Sequence, residues 1–353
     1  MRIGLVIYGS LETLSGGYLY DRKLVEYLRS QGDPVEIISL PWRNYAAHLT
    51  DNFQFKLPSN LDILIQDELN HPSLIVANQG KHPYPVISLV HHLRCSELRP
   101  SWQNTLYRII EKKYLHSVDG FIFNSRTTER VVNTLVANNK PGMVAYPPTH
   151  RFGEPISEEE IISRAKGDEL RILFLGNVIY RKGLHTLVEA ISVQPSAFRV
   201  DVVGSLTSEP GYVKRIQEYI AQKHLSSFVS FHGPLDKEPL VEKLHRAHVL
   251  VVPSSYEGFG IVYLEGMCFG LPAIGTTSGA AIEVITNGKD GFLIEAENAK
   301  ELAEHLNVLH GRRDLLTQMS LAARNRYLRQ PKWEETARGI REFLLKRMEE
   351  FSV

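Results

Sequence analysis

Short apolar runs alternate with longer amphipathic stretches along almost the whole chain. In the first half, Ile3–Ile7, Val35–Leu40, Asp62–Ile65, Pro85–Val90 and Gly120–Phe123 have the length of strands. Pro85–Val90 is apolar enough for a strand buried on both faces of a parallel sheet. Helical patterns run from Gly16-Gly17 to about Gln31, from Ser101 to about Ser117, and over Arg126–Ala137, with Ser125 placed to cap the last. The second half restarts the same rhythm. Strands are predicted at Arg171–Leu175, Arg199–Val203, Val229–His232, Val249–Val252, Ala273–Gly275 and Phe292–Ile294, and Leu184, Leu187, Val188 and Ile191 share one face of a helix. This alternation predicts α/β architecture: two doubly wound, Rossmann-like domains, with ligands at the carboxyl ends of their strands and the site in a cleft between them.

Pro147 to Asp168 breaks the pattern with two adjacent prolines, Pro155 and the acidic run Glu158–Glu160, and reads as a linker holding a short helix. The predicted domains are therefore 1–150 and 168–331, followed by an amphipathic tail helix from about Lys332 to Glu350. A length of 353 residues suits two domains. Lys+Arg and Asp+Glu balance at 40 each, so no global charge draws the chain to nucleic acid or membrane. The two cysteines, Cys95 and Cys268, have no metal-like spacing and read as small buried residues. No apolar run approaches the roughly 18 residues of a membrane span. MRIGLVIYGS reads as a first strand rather than a signal peptide, which makes the cytoplasm the expected compartment.

Four places carry candidate chemistry. In Glu257-Gly258-Phe259-Gly260-Ile261-Val262-Tyr263-Leu264-Glu265, two glycines permit a tight strand-to-helix turn, with the helix expected to begin near Phe259 or Gly260. Its unpaired N–H groups would then face an anion or sugar hydroxyls. Glu265 falls on the same face as Ile261, Leu264 and Cys268. A carboxylate there needs its oxygens satisfied, by a vicinal diol such as ribose or by a protein cation. Arg181-Lys182-Gly183 ends a loop after a strand; two cations before a helix N-terminus suit a diphosphate, or are two solvated surface charges. His91 and His92 end the Pro85–Val90 strand and are either cleft-facing or ordinary loop residues. Ser15-Gly16-Gly17 either cradles phosphate or makes a simple turn, and it lacks GxGxxG spacing. Asp-x-Asp, a common metal clamp for sugar nucleotides, does not occur.

Together these residues resemble glycosyltransferase family 4, the retaining group 1 glycosyl transferases of GT-B fold. The match rests on the two glutamates, Glu257 and Glu265, separated by seven residues with Gly-Phe-Gly after the first, and on Arg181-Lys182-Gly183 followed by Leu184, Leu187 and Ala190. It continues through Gly270-Leu271-Pro272, Ser278-Gly279 to Glu283, Asn287-Gly288 and Gly291. In the first half it is carried by Gly16-Gly17, His91 and Asn124-Ser125, and Trp333 with the tail helix resembles the family's segment that crosses back onto the first domain.

The resemblance implies a retaining hexosyltransferase that uses a UDP- or GDP-sugar and no metal or other cofactor. Arg181 and Lys182 would hold the donor diphosphate. Glu257, Gly258 and the N–H groups of Phe259 and Gly260 would meet the transferred sugar, and Glu265 the ribose. His91 would sit near the sugar and acceptor, and Gly16 and Gly17 would leave room for phosphate and acceptor. Asn177 stands where the family often has Arg, so one cationic contact to the diphosphate is missing or supplied elsewhere. A non-catalytic sugar-nucleotide-binding paralogue and another GT-B enzyme, such as an epimerase, are the alternatives. The segment around Arg94–Lys113 mixes Arg94, Arg99, Arg108, Lys112 and Lys113 with Trp102, Leu106, Ile109 and Ile110. It reads as a solvated helix with its apolar face in the core, or as a peripheral contact with the inner membrane face.

Overall fold

The computed structural model describes residues 1–13, 15–80, 82–137, 140–148 and 152–351. Positions 149–151 of the expected linker and 352–353 of the tail lie outside the described residues. The chain divides into two units, Met1–Pro148 with Pro331–Val353, and Thr149–Gln330. Glu158–Arg164 is helical, opened by a capping box in which Ser157 and Glu160 satisfy each other's backbone N–H.

Unit 1 holds β1 (Ile3–Tyr8), β2 (Val35–Leu40), β3 (Ile63–Asp67), β4 (Val86–Val90), β5 (Gly120–Phe123) and β6 (Gly142–Val144) in the order β2-β1-β3-β4-β5-β6, all parallel. The period-2 rule explains its two cores. Ile3, Leu5 and Ile7 join Ile63, Ile65, Ile87 and Leu89 on one face, under Leu24 and Leu28 of the Gly16–Ser30 helix and Ile340 and Leu344 of the Trp333–Phe351 helix. Val6, Tyr8, Leu64, Val86, Val90 and Phe121 face the other way, against Tyr114, Leu115 and Val132. The Gly16–Ser30 and Arg126–Val136 helices begin where Ser15 and Ser125 accept the N–H of Tyr18 and Thr128.

Unit 2 holds β7 (Leu170–Leu175), β8 (Phe198–Val203), β9 (Val229–Gly233), β10 (Val249–Val251), β11 (Ala273–Thr276) and β12 (Gly291–Ile294) in the order β12-β11-β10-β7-β8-β9, again parallel. Chain order runs outward from β7 to β9 on one side and from β10 to β12 on the other. The switch point therefore lies between β7 and β10, the place where doubly wound sheets open a crevice for ligands. Both cysteines are free and buried. Among the described residues no helix is long and apolar enough to cross a membrane.

The Ser101–Ser117 helix has apolar residues on both sides. Ile110, Glu111, Tyr114 and Leu115 pack inward, whereas Trp102, Leu106 and Ile109 are exposed.

Candidate functional site

The loops leaving β7 and β10 meet at the switch point of unit 2. After β7 the chain makes a short turn at Tyr180–Lys182, passes through Gly183 in the left-handed region (φ 73°), and enters the Leu184–Ile191 helix. After β10 it runs through Pro253 to Gly260, where a left-handed φ of 87° precedes the Ile261–Cys268 helix. Hydrogen bonds tie the loops together: Ser255 N–H donates to the Arg181 carbonyl at 2.8 Å, and Arg181 Nη1 donates to the Tyr256 carbonyl at 2.8 Å. A Cβ at Gly183 would lie 2.1 Å from the Pro253 carbonyl oxygen, so only glycine permits this approach.

Glu257 sits at the junction and is 6% exposed. Its Oε1 accepts from Lys182 Nζ and, at 2.7 Å, from Ser254 Oγ, while Arg181 Nη1 stands 3.9 Å away. The loop after β11 clamps its backbone: Ala280 N–H donates to the Glu257 carbonyl at 2.8 Å. Burial pushes the Glu257 carboxyl up, but Lys182, Arg181 and the two hydrogen bonds together hold it below the ordinary range. Burial pulls the Lys182 ammonium down despite Glu257. The cation pair thus has an anion beside it, but that anion is the protein's own carboxylate.

The helix opens at Ile261, later than expected, because Gly260 at φ 87° lies outside helical geometry. Nor does Glu265 sit on the apolar side of an amphipathic helix. Residues 263 to 268 are all buried, so the helix is enclosed nearly all round, and Glu265 is 6% exposed within it. Phe259 is buried beside the same turn. Asn177 Oδ1 accepts the Ser205 N–H at 3.4 Å, so this side chain ties the loops after β7 and β8 together.

Gly16, Gly17 and His91 belong to unit 1. The glycines open the Gly16–Ser30 helix, and a Cβ at Gly17 would lie 3.3 Å from the His91 ring. His91 follows β4 directly; its carbonyl accepts from Asn124 Nδ2 at 2.7 Å, and its Nε2 lies 3.1 Å from Asp21 Oδ1. Burial lowers the imidazole, but Asp21, then Asp67 and Glu68, outweigh it and raise it to about 9. His92 pairs separately with Glu97 at 3.1 Å.

Among the described residues, two groups, Asp21–Asp67–His91 and Glu68–His71–Glu111, each bring metal-ligand types of atom within 4.8 Å of one another. Protons offer the same neutralisation. Burial raises Asp67 to about 7, Glu68 to about 8 and Glu111 to about 7, and Glu111 also accepts the N–H groups of Arg94 and Cys95. Asp21, Asp67 and Ser254 were not anticipated from sequence. Asp21 was detectable, since it shares the buried helix face of Tyr18, Val25 and Leu28 at the spacing that drew attention to Glu265.

Unit 2 is thus a Rossmann-type α/β domain whose switch point holds a cation pair and a buried carboxylate. Residues 156–326 match the family described as "Glycosyl transferases group 1". The D-inositol 3-phosphate glycosyltransferase of Xylanimonas cellulosilytica is 30% identical over 176 residues, 49% of this chain and 41% of that protein. The chain spans about half the length of the curated relatives it matches. Among solved structures, sucrose-phosphate synthase from Thermosynechococcus elongatus superposes with TM-score 0.84 at 20% identity over 98% of each chain. Anabaena HepE, in complex with UDP and glucose, superposes with TM-score 0.76 at 17% identity over 98% of this chain and 99% of that one. These likenesses establish the two-domain GT-B fold.

Proposed function

We propose that the protein is a retaining glycosyltransferase that moves a hexose from a UDP- or GDP-sugar to an acceptor hydroxyl in the cytoplasm without a metal. The observation that carries this reading is the convergence of Arg181, Lys182 and Glu257 at the switch point of unit 2. The UDP and glucose in HepE, a protein of the same fold, agree with it. The donor diphosphate lies against Arg181 and Lys182, which stabilise the charge that grows on it as the glycosidic bond breaks. Glu257, held by Ser254 and Lys182, meets hydroxyls of the transferred sugar, with Gly258, Phe259 and Gly260 forming the floor. Glu265 takes the ribose. The acceptor, a glycan, a lipid-linked sugar or a small molecule, attacks from the face the leaving group vacates, and a donor phosphate oxygen takes its proton. Gly16, Gly17 and His91 contribute on the acceptor side.

A thermal-shift panel of UDP-, GDP- and ADP-sugars identifies the donor, because binding to the native state raises its melting temperature. Transfer with that donor is then measured with and without chelator, and in Lys182→Ala. The expected result is chelator-resistant transfer that falls on the order of a hundredfold or more in the variant. Donor binding without turnover would favour a silent paralogue, and interconversion of the sugar nucleotide alone an epimerase. Normal transfer by Lys182→Ala overturns the reading.

A further inference from the structure

We propose that the Ser101–Ser117 helix is the surface by which this protein lies on an anionic lipid membrane. The outward side of that helix carries Trp102, Leu106 and Ile109, which are 68%, 49% and 51% exposed. Spaced i, i+4 and i+7, they form one stripe, and Lys113 continues it a turn further on. Arg108 and Lys112, also exposed, flank the stripe on one side. Glu111 is the helix's one acid, and it is buried, where it accepts the N–H groups of Arg94 and Cys95. The exposed side is therefore apolar and basic with no acidic residue, on a chain whose formal net charge is +0.

The inward side already anchors the helix through Ile110, Tyr114 and Leu115, so the fold does not need the outer stripe for its core. An exposed Trp, Leu and Ile within a single helix face is the kind of apolar patch that marks an interaction surface. Charge chooses the occupant. A second copy would set this positive surface against itself. An anionic bilayer offers both complements at once: headgroup charge for Arg108, Lys112 and Lys113, and an acyl boundary for the stripe, with Trp102 at the interface depth its ring prefers. The helix would lie flat rather than insert across the bilayer. This proposal stands independently of donor chemistry, since it concerns only where the protein resides.

The test uses the full chain with no donor present. It is mixed with vesicles of phosphatidylcholine alone, or of phosphatidylcholine with phosphatidylglycerol, and sedimented. Trp102 fluorescence is followed in parallel with brominated lipid as quencher, using Trp102→Phe as the blank. The expected result is about tenfold tighter binding to the anionic vesicles, weakened by salt, with quenching that Trp102→Phe abolishes. Arg108→Glu/Lys112→Glu/Lys113→Glu should lose the anionic preference. Leu106→Ser/Ile109→Ser should lose binding while melting normally, because both residues are exposed. Equal absence of binding to both vesicles overturns the proposal. So does binding that survives both sets of substitutions, or a self-association in size-exclusion chromatography that the Leu106→Ser/Ile109→Ser variant abolishes in place of vesicle binding.

Discussion

Two buried charge pairs, one in each unit, respond differently to perturbation. Lys182 and Glu257 are both largely buried, so removing Glu257 takes away the carboxylate that Lys182 pairs with. Glu257→Gln should destabilise the chain by about 3 kcal/mol, whereas Glu257→Gln/Lys182→Met should recover much of that loss. Urea denaturation of the two single variants and the double variant checks this, and strictly additive losses would contradict it. The pair of His91 and Asp21 makes a prediction in pH. The folded imidazole is raised to about 9 from an ordinary 6.5, so its contribution is fully present below 6.5 and gone once pH has risen through about 9. That span corresponds to roughly 3 kcal/mol at most. Asp67 and Glu68, both raised by burial, lose stability in the same direction as they ionise with rising pH. Unit 1 should therefore weaken steadily from pH 6.5 to 9.5, and Asp21→Asn should flatten the alkaline part of that decline. An unchanged slope in Asp21→Asn would mean that Asp21 does not hold the proton on His91.

Loops at strand ends are held by particular residues, and the tightest is Gly183. Its left-handed φ and the 2.1 Å that would separate a Cβ from the Pro253 carbonyl leave no room for alanine. Gly183→Ala should cost about 2–4 kcal/mol and part the loops that carry Arg181 and Ser255, seen as faster amide exchange at Ser255. A variant with native stability would show that the loops can separate freely. The same elements show what periodicity can reveal. Eleven of the twelve strands were legible, because each is a short run dominated by apolar residues. The strand Gly142–Val144 was not: it has three residues at a sheet edge, opens on a glycine and lacks room for any period. The donor-side motif was legible because Arg181-Lys182 and Glu257 to Glu265 are each contiguous. Their contact was not, since 75 residues separate Lys182 from Glu257 and only the strand order brings β7 beside β10. The outward stripe of the Ser101–Ser117 helix could not be told from its core-facing side for a related reason. Apolar spacing marks a face but does not say whether core or solvent lies against it.

At the scale of the molecule, the chain builds two units but threads them unequally. Unit 2 draws all six strands and their covering helices from one continuous segment, Thr149–Gln330. Unit 1 takes its sheet from Met1–Pro148 but finishes a core with the distant Trp333–Phe351 helix. Ala337, Ile340 and Leu344 of that helix are fully buried against Leu24, Leu28 and Ile3, Trp333 meets the Tyr20 ring edge-on at 5.3 Å, and Arg341 Nε donates to Asp33 at 2.6 Å. Burying a large aliphatic side chain contributes about 1.5–3 kcal/mol, so losing the helix removes on the order of 5 kcal/mol or more. A domain's whole stability is typically about 5–15 kcal/mol. A fragment of residues 1–148 should therefore fail to melt cooperatively, and adding a peptide of residues 331–353 should restore a transition. A fragment of residues 149–330 should fold alone. Near-ultraviolet circular dichroism and thermal melts of the three preparations decide the point. A cooperative 1–148 fragment, as stable as unit 1 within the whole chain, would make the terminal helix an accessory to the first core rather than part of it.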